Sequence, residues 1–379
     1  MRTVYLDYAA TTPVDLSVAE CMSRYLTLEG TFGNPASPHR YGRLALQAVE
    51  AAQLQVAELI GAAGEEIVWT SGATEANNLA LIGVARANQQ RGKHIVTSQS
   101  EHKSVLDSCR YLEGEGWQVT YLKPQPNGLL DIEKFVAALR RDTVLASIMH
   151  VNNETGVIQD IKTLAQATRS RGIPLHVDAV QSAGKIPIDV AQWPVDLMSL
   201  SAHKVYGPKG IGALYLRNAS GVRIEAQSYG GGQQRGLRSG TLPTHQIVGM
   251  GEAFSLAKAN MADEGKRLEA LRDRLWQGLR DIEGLYQNGE PTQRAANYLN
   301  ITLEGVDNES LMASLPDIAF SPGSACSAER IEPSHVLRSM GIDDARAQCS
   351  IRLTLGRFSN VDDIDYAINR LRAAISALR

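Results

Sequence analysis

Between Glu66 and Leu216, short apolar runs alternate with stretches of helical periodicity. The runs are Glu66–Thr70, His94–Ser98, Trp117–Leu122, Thr143–Met149, the stretch ending at Asp178, Leu197–Ser201 and Ile211–Leu216. The periodicity predicts helices at about 75–87, after His102, at about 131–140 and at 161–171. Parallel strands need crossovers of helix length, so this rhythm predicts an α/β fold, a mostly parallel sheet with helices on both faces. In such sheets ligands collect beyond the carboxyl ends of the strands. Thr74, His102, Asn153, Asp178, Gln181, Ser201, His203 and Lys204 all fall at or just past such ends, and should converge on one rim.

Two of these residues carry distinctive chemistry. Leu197–Ser201 leads through Ala202-His203 to Lys204, and Gly207-Pro208-Lys209-Gly210 turns the chain into the next run. A lysine beside a Gly-Pro turn is most often a solvated surface group. One desolvated at a strand end becomes a nucleophile for carbonyls. Asp178 ends the neighbouring run; alone it reads as a turn or cap residue. Together, a lysine to hold an aldehyde and an acid to pair with a pyridinium nitrogen are what a pyridoxal phosphate site needs. Small residues at Ser71-Gly72-Ala73-Thr74 lead into a helix, which suits either a phosphate seat or a plain cap.

At the start, Val4–Tyr8 predicts a short strand, and Ser37 with Pro38 predicts the cap and first position of a helix that stops at Gly61. Beyond Lys204, Tyr229–Thr241 reads equally as a linker or as an anion-binding loop with Arg235, Arg238 and Thr241. Helices are predicted at about 244–258 and, as a bridge to a second domain, at about 262–282. Shorter elements follow: strands Tyr298–Leu303, Ile318–Phe320 and Ser350–Leu355, and helices at 309–315, 333–340 and 362–378. This mixture predicts a smaller α+β domain. The expected division is a large domain at 14–260 and a small one built from 1–13 with 261–379.

A net charge of −3 leaves no basic footprint for nucleic acid, and no apolar run approaches membrane-spanning length. Met1–Asp7 contains no signal-peptide core, so the cytoplasm is the expected location. Cys21, Cys109, Cys326 and Cys349 form no C-x-x-C pair, which argues against a metal site and against a disulfide framework. Three of them suit burial as small hydrophobes. Cys326 sits in Ser321-Pro-Gly-Ser-Ala-Cys-Ser-Ala328, a poor burial site, so a reactive thiol is the better reading there.

Several segments together resemble the NifS/IscS-type cysteine desulfurases, pyridoxal-phosphate enzymes of fold type I in the class V aminotransferase group. They are Tyr5–Pro13, Phe32–Ser37, Thr70–Glu75, Glu101-His102, Val151–Gly156, His176–Gln181, His203-Lys204, Arg238–Thr241, Gly323–Cys326 and Ser350–Arg352. The resemblance implies that L-cysteine becomes L-alanine while its sulfur stays as a persulfide on Cys326. The sulfur then passes to acceptors for iron–sulfur cluster assembly or other sulfur trafficking. It implies cofactor held covalently on Lys204, with Asp178 at the ring nitrogen, Gln181 at the ring oxygen and His102 stacked on the ring. Ala73, Thr74, Ser201 and His203 would hold the phosphate, joined by Thr241 from the other subunit of a homodimer. Asn34, Asn153 and Arg352 would orient the substrate carboxylate. A transient contact of Cys326 with an iron–sulfur cluster is a further implication. Ala202, Gln234 and Pro322 depart from the commoner Gly, Glu and Ser of the group. The implied partners are sulfur-acceptor proteins such as a cluster scaffold; the chain stops at Arg379, short of the tail that helps housekeeping members dock that scaffold, which counts against the docking but not against the chemistry.

Other readings are a selenocysteine lyase or small-substrate aminotransferase of the same group, or a pyridoxal-phosphate-binding protein without turnover. Cys326 has no use in a transaminase, and Lys204, His102 and Cys326 together argue against a mere binder. A nicotinamide dehydrogenase fits less well, because Gly207–Gly212 leads into a strand rather than a helix.

Overall fold

The computed structural model describes residues 3–322 and 333–379. The chain opens with β1 (Val4–Tyr5), α1 (Leu16–Ser23) and α2 (Arg40–Ile60). Then come β2 (Ile67–Thr70), α3 (Ala73–Asn88), β3 (His94–Ser98), α4 (Lys103–Gly114), β4 (Gln118–Leu122), α5 (Ile132–Ala138), β5 (Thr143–Met149) and α6 (Ile161–Arg169). Strands β6 (Leu175–Asp178), β7 (Leu197–Ser201) and β8 (Gly212–Leu216) complete one seven-stranded sheet of order β2-β8-β7-β6-β5-β3-β4. Only β8 runs antiparallel to its neighbours. From β3 the chain steps outward to β4 and then back across β3 to β5. The strand order therefore reverses between β3 and β5, and a crevice opens there at the carboxyl ends.

The strands are apolar because both faces are covered. β2, β3, β5, β6 and β7 are buried at every position, β8 is open only at Leu216, and the edge strand β4 is the most open. One face packs against α2, α5, α6 and the first half of helix α7 (Thr244–Gln277), the other against α3 and α4. The expected α/β class with a mostly parallel sheet is what the chain adopts.

A four-stranded antiparallel sheet of order β12-β13-β10-β9 forms a second layer, from β9 (Leu285–Gln287), β10 (Tyr298–Leu303), β12 (Ser321–Pro322) and β13 (Ser350–Thr354). β11 (Ile318–Ala319) instead pairs in parallel with β1. Helices α8 (Asn308–Ser314), α9 (His335–Ser339), α10 (Asp344–Gln348) and α11 (Val361–Leu378) complete the chain. Leu268, Leu271 and Leu275 of α7, Leu371 and Ile375 of α11, and Leu299, Ile301 and Leu353 fill this second core.

Three local expectations are corrected. The two helices expected at 244–258 and 262–282 are one, because Asn260 bonds back to the Leu256 carbonyl (2.8 Å) and does not break the ladder. Ser37 does not cap α2. Its N–H closes a turn on the Asn34 carbonyl, and the His39 ring accepts the Gly42 N–H (3.3 Å), so the helix starts at Arg40. The first strand ends at Tyr5, since Asp7 has already crossed to bridge Thr354 of β13.

Candidate active site

A cavity of about 560 Å³ lies in the crevice. Ala73, Thr74, His102, Asn153, Asp178, Gln181, Ser201, His203, Lys204 and Arg352 all line it. They come from several segments, most at or just past the end of a strand or at the start of a helix, while Arg352 stands in the middle of β13. Asn34 does not line it. It is exposed, and its Oδ1 accepts the Ala36 N–H (2.9 Å). Thr241 is exposed and outside the lining, and Cys326 lies outside the described residues.

Lys204 follows β7 on a single 3-10 turn and donates to the carbonyls of Ala9 (2.6 Å) and Ala10 (2.5 Å). The Thr12 N–H reaches the His203 carbonyl (2.9 Å), so residues 9–12 form a strap across the lysine. Gln181 donates to the same Ala9 carbonyl (3.0 Å), and its Oε1 takes Lys185 Nζ (2.8 Å). Two residues beyond Lys204, Tyr206 adopts a left-handed backbone with φ 62°, a strained conformation for a bulky residue. Its ring is held against the Arg357 guanidinium, 4.1 Å from the centroid.

Asp178 is fixed by two donors, the Val180 N–H (3.0 Å) and Asn77 Nδ2 (2.9 Å). Asn77 Nδ2 also reaches Ser104 Oγ (2.8 Å), which bonds His102 Nδ1 (2.8 Å). The Ser104 N–H donates to the same ring nitrogen (3.1 Å), so the proton of neutral His102 sits on Nε2. Burial pulls the His102 pKa below its ordinary value, and Lys204 adds to this against the opposing pull of Asp178. His203 is held lower still, at about 4, by burial and then by Lys204 and Lys209.

The start of α3 has no side-chain cap: its N-cap is Gly72, at φ 156°. The backbone of Gly72 passes so close to Gly212 that a Cβ on Gly212 would stand 2.8 Å from the Gly72 Cα. This glycine pair leaves the helix N-terminus open beside Thr74, Ser201 and His203, a seat for an anion. At the other end Arg352, 2 % exposed, donates to Asp7 Oδ1 (2.7 Å), Ser321 Oγ (3.0 Å) and the Asn153 carbonyl (2.8 Å). Among the described residues, Arg352 Nε and Asn153 Oδ1 are buried without a partner.

The arrangement joins an amine and a carboxylate on neighbouring strand ends, a neutral imidazole, an anion seat and an arginine with an unmatched donor. The family profile described as Aminotransferase class-V matches residues 4–367. The chain belongs to this family. A cysteine desulfurase IscS of Pectobacterium carotovorum is 59% identical over 377 residues, covering 99% of this chain and 93% of that protein. A solved NifS-like protein superposes with a TM-score of 0.93 at 35% identity, covering all of both chains. A structure titled SspA in complex with cysteine gives 0.84 at 37% identity, covering 94% of this chain and 100% of that one.

Members of this family use pyridoxal phosphate, and the cavity fits it. Lys204 and Asp178 face one space, and the uncapped helix start offers N–H groups for the phosphate. Sequence reading missed Asn77, Ser104, Asp7 and Lys185. Asn77 had a weak signal, three residues past Thr74 on the same helix face. The Ala9 and Ala10 carbonyls had none, since main-chain acceptors carry no residue signature.

Proposed function

We infer that this cavity removes sulfur from L-cysteine, with Lys204 as proton carrier and Cys326 as sulfur acceptor. The chain is a pyridoxal-phosphate-dependent cysteine desulfurase. The observation that carries the reading is the meeting of Lys204, Asp178 and His102 in one cavity whose far end is Arg352. Lys204 would hold the cofactor, Asp178 its ring nitrogen and Gln181 its ring oxygen. Ala73, Thr74, Ser201 and His203 would hold its phosphate. When bound, pyridoxal phosphate supplies an electron-withdrawing ring conjugated to the substrate Cα.

The chain's own residues do the rest. Arg352 takes the substrate carboxylate with its unmatched Nε, beside Asn153, and Asp7 keeps the guanidinium in place. Asn34 is proposed to join them, which requires its side chain to leave the Ala36 N–H. The Lys204 amine removes the Cα proton and later returns one. His102, which carries its proton on Nε2, offers that N–H to the substrate as a hydrogen-bond donor, and the proton lost by the incoming Cys326 thiol ends on the Cβ that the breaking C–S bond leaves one proton short. The Cys326 thiolate attacks the substrate sulfur, the C–S bond breaks, and the persulfide stays on Cys326 as alanine leaves.

Sulfur-acceptor proteins are its partners, and a cluster scaffold is one candidate. Transient contact of Cys326 with an iron–sulfur cluster belongs to the same proposal. We place the enzyme in the cytoplasm as a homodimer in which Thr241 completes the partner's phosphate site. Among the described residues no helix is long and apolar enough to cross a membrane. The division at 14–260 against 1–13 with 261–379 assigns cofactor binding to the larger part. The test is to give cysteine to the purified holoenzyme. Alanine and sulfide should appear in equal amounts under reducing conditions; pyruvate and ammonia instead would refute the assignment.

A further inference from the structure

Behind Lys204, on the side away from the main cavity, lies a second and smaller one. It has a volume of about 30 Å³ and is lined by Lys204, Lys185, Tyr8, Tyr206, Glu264 and Gly265 among others. That is room for about one or two waters, and Thr12, Lys185, Lys204, Glu264 and Asn297, set in an otherwise largely apolar lining, give them partners. Glu264 also lines an open groove of about 340 Å³ with Asp15, Asp263, Arg267 and Arg357. Glu264 Oε2 is anchored by Arg357 Nε (3.1 Å). One carboxylate therefore stands between the inner cavity and solvent.

Two further features of this lining bear on proton movement. The Lys185 side chain is partly exposed along its length, but its amine turns inward and reaches Gln181 Oε1 (2.8 Å). Burial, helped by Lys204 and Arg352 and opposed by Glu264, brings its pKa down to about 7, so it both holds and yields protons near neutrality. Gly265 stands inside the 34-residue helix α7, where glycine costs roughly 0.5–1 kcal/mol against alanine. Its φ is not in the left-handed region, and a Cβ there would meet nothing within 4 Å. Neither backbone nor packing requires glycine at this point, and its place is in the lining of the small cavity.

We propose that Lys204 exchanges protons with solvent from behind, through this cavity, with Lys185 and Glu264 as its polar wall and outlet. The inference rests on the reading of Lys204 as carrier of the Cα proton. During turnover the main cavity is filled by cofactor and substrate, so the front of Lys204 is closed to water. The proton taken from Cα makes Lys204 an ammonium. One proton then leaves through cavity water to the Glu264 carboxylate and the outer groove, and a solvent proton returns by the same path.

The test uses holoenzyme, L-cysteine deuterated at Cα, and ordinary water, with the deuterium content of the alanine read by mass spectrometry. Wild type should lose most of the label, because Lys204 exchanges before it returns a proton. Glu264→Gln removes the outlet and Gly265→Leu adds a bulky side chain at the lining of the small cavity. Each should give alanine with a several-fold higher share of label at Cα. Gly265→Leu also improves helix propensity, so it keeps the test valid if Glu264→Gln disturbs Arg357. Alanine with wild-type label content from both variants would overturn the proposal alone. No alanine from any form, wild type included, would overturn the desulfurase reading and this inference with it.

Discussion

Glu154 offers the sharpest link between pH and stability in this fold. It sits in the turn beside Asn153, 2 % exposed, and its carboxyl accepts a hydrogen bond from Ser334, which caps α9 just past residues 323–332. Burial raises its pKa from 4.5 to about 7, against the opposing pull of Ser334 and Arg352. The folded state thus holds this proton to a higher pH than the unfolded chain does. The stabilising difference is fully present below about pH 4.5 and is lost as the pH rises through 7. Ionisation near 7 rather than 4.5 corresponds to about 3 kcal/mol lost across that interval. Glu154→Gln keeps the size and an acceptor for Ser334 but cannot ionise. The assay is the thermal midpoint of both proteins at a series of pH values from about 5 to about 9, spanning the shifted carboxyl. The wild-type midpoint should fall relative to the variant's as pH rises, by several degrees at the alkaline end. Parallel curves would refute the reasoning, since they would mean that Glu154 ionises alike in both states.

Lys204 should carry the cofactor: borohydride reduction of the holoenzyme should fix it to the peptide containing Lys204, and label on Lys209 or Lys185 would contradict the assignment. Asn77→Leu removes the donor that steadies Asp178 and, through Ser104, His102. A hydrogen bond to a charged group contributes about 1.5–3 kcal/mol, so cofactor affinity should fall by roughly 10- to 100-fold in an equilibrium titration; unchanged affinity would sink the role. Mixing inactive Lys204→Ala and Thr241→Ala proteins under exchanging conditions should recover part of the activity, because hybrid dimers hold one complete site. Mixtures that stay inactive while hybrids form would rule out Thr241 acting across subunits.

The sheet was legible because its strands are short, apolar and separated by helical periods, and the site residues because they follow those strands. Thr74, His102, Asn153, Asp178 and Lys204 needed only the rule that parallel strands present their carboxyl ends on one rim. What lay hidden depended on contacts between distant segments. Asp7 meets Arg352 across 345 positions, and Gln181 meets Ala9 across 172. Neither pairing leaves a local pattern. The misplaced break in α7 had another cause. Asn260 resembles a helix stop, yet its side chain can satisfy a carbonyl one turn back and stay within the helix. Lys185 carries no local sequence signal, and only the tertiary fold turns its amine inward towards Gln181.

The central claim is that sulfur leaves cysteine for Cys326 at a site built around Lys204. It is tested most directly by the mass of the Cys326-containing peptide after holoenzyme meets L-cysteine without reductant. That peptide should gain the mass of one sulfur atom, removable by a thiol, in step with one alanine formed per site. Cys326→Ala should gain none and form no alanine from cysteine. Sulfur found on Cys21, Cys109 or Cys349 instead, or alanine formed by Cys326→Ala at the wild-type rate, would contradict the account.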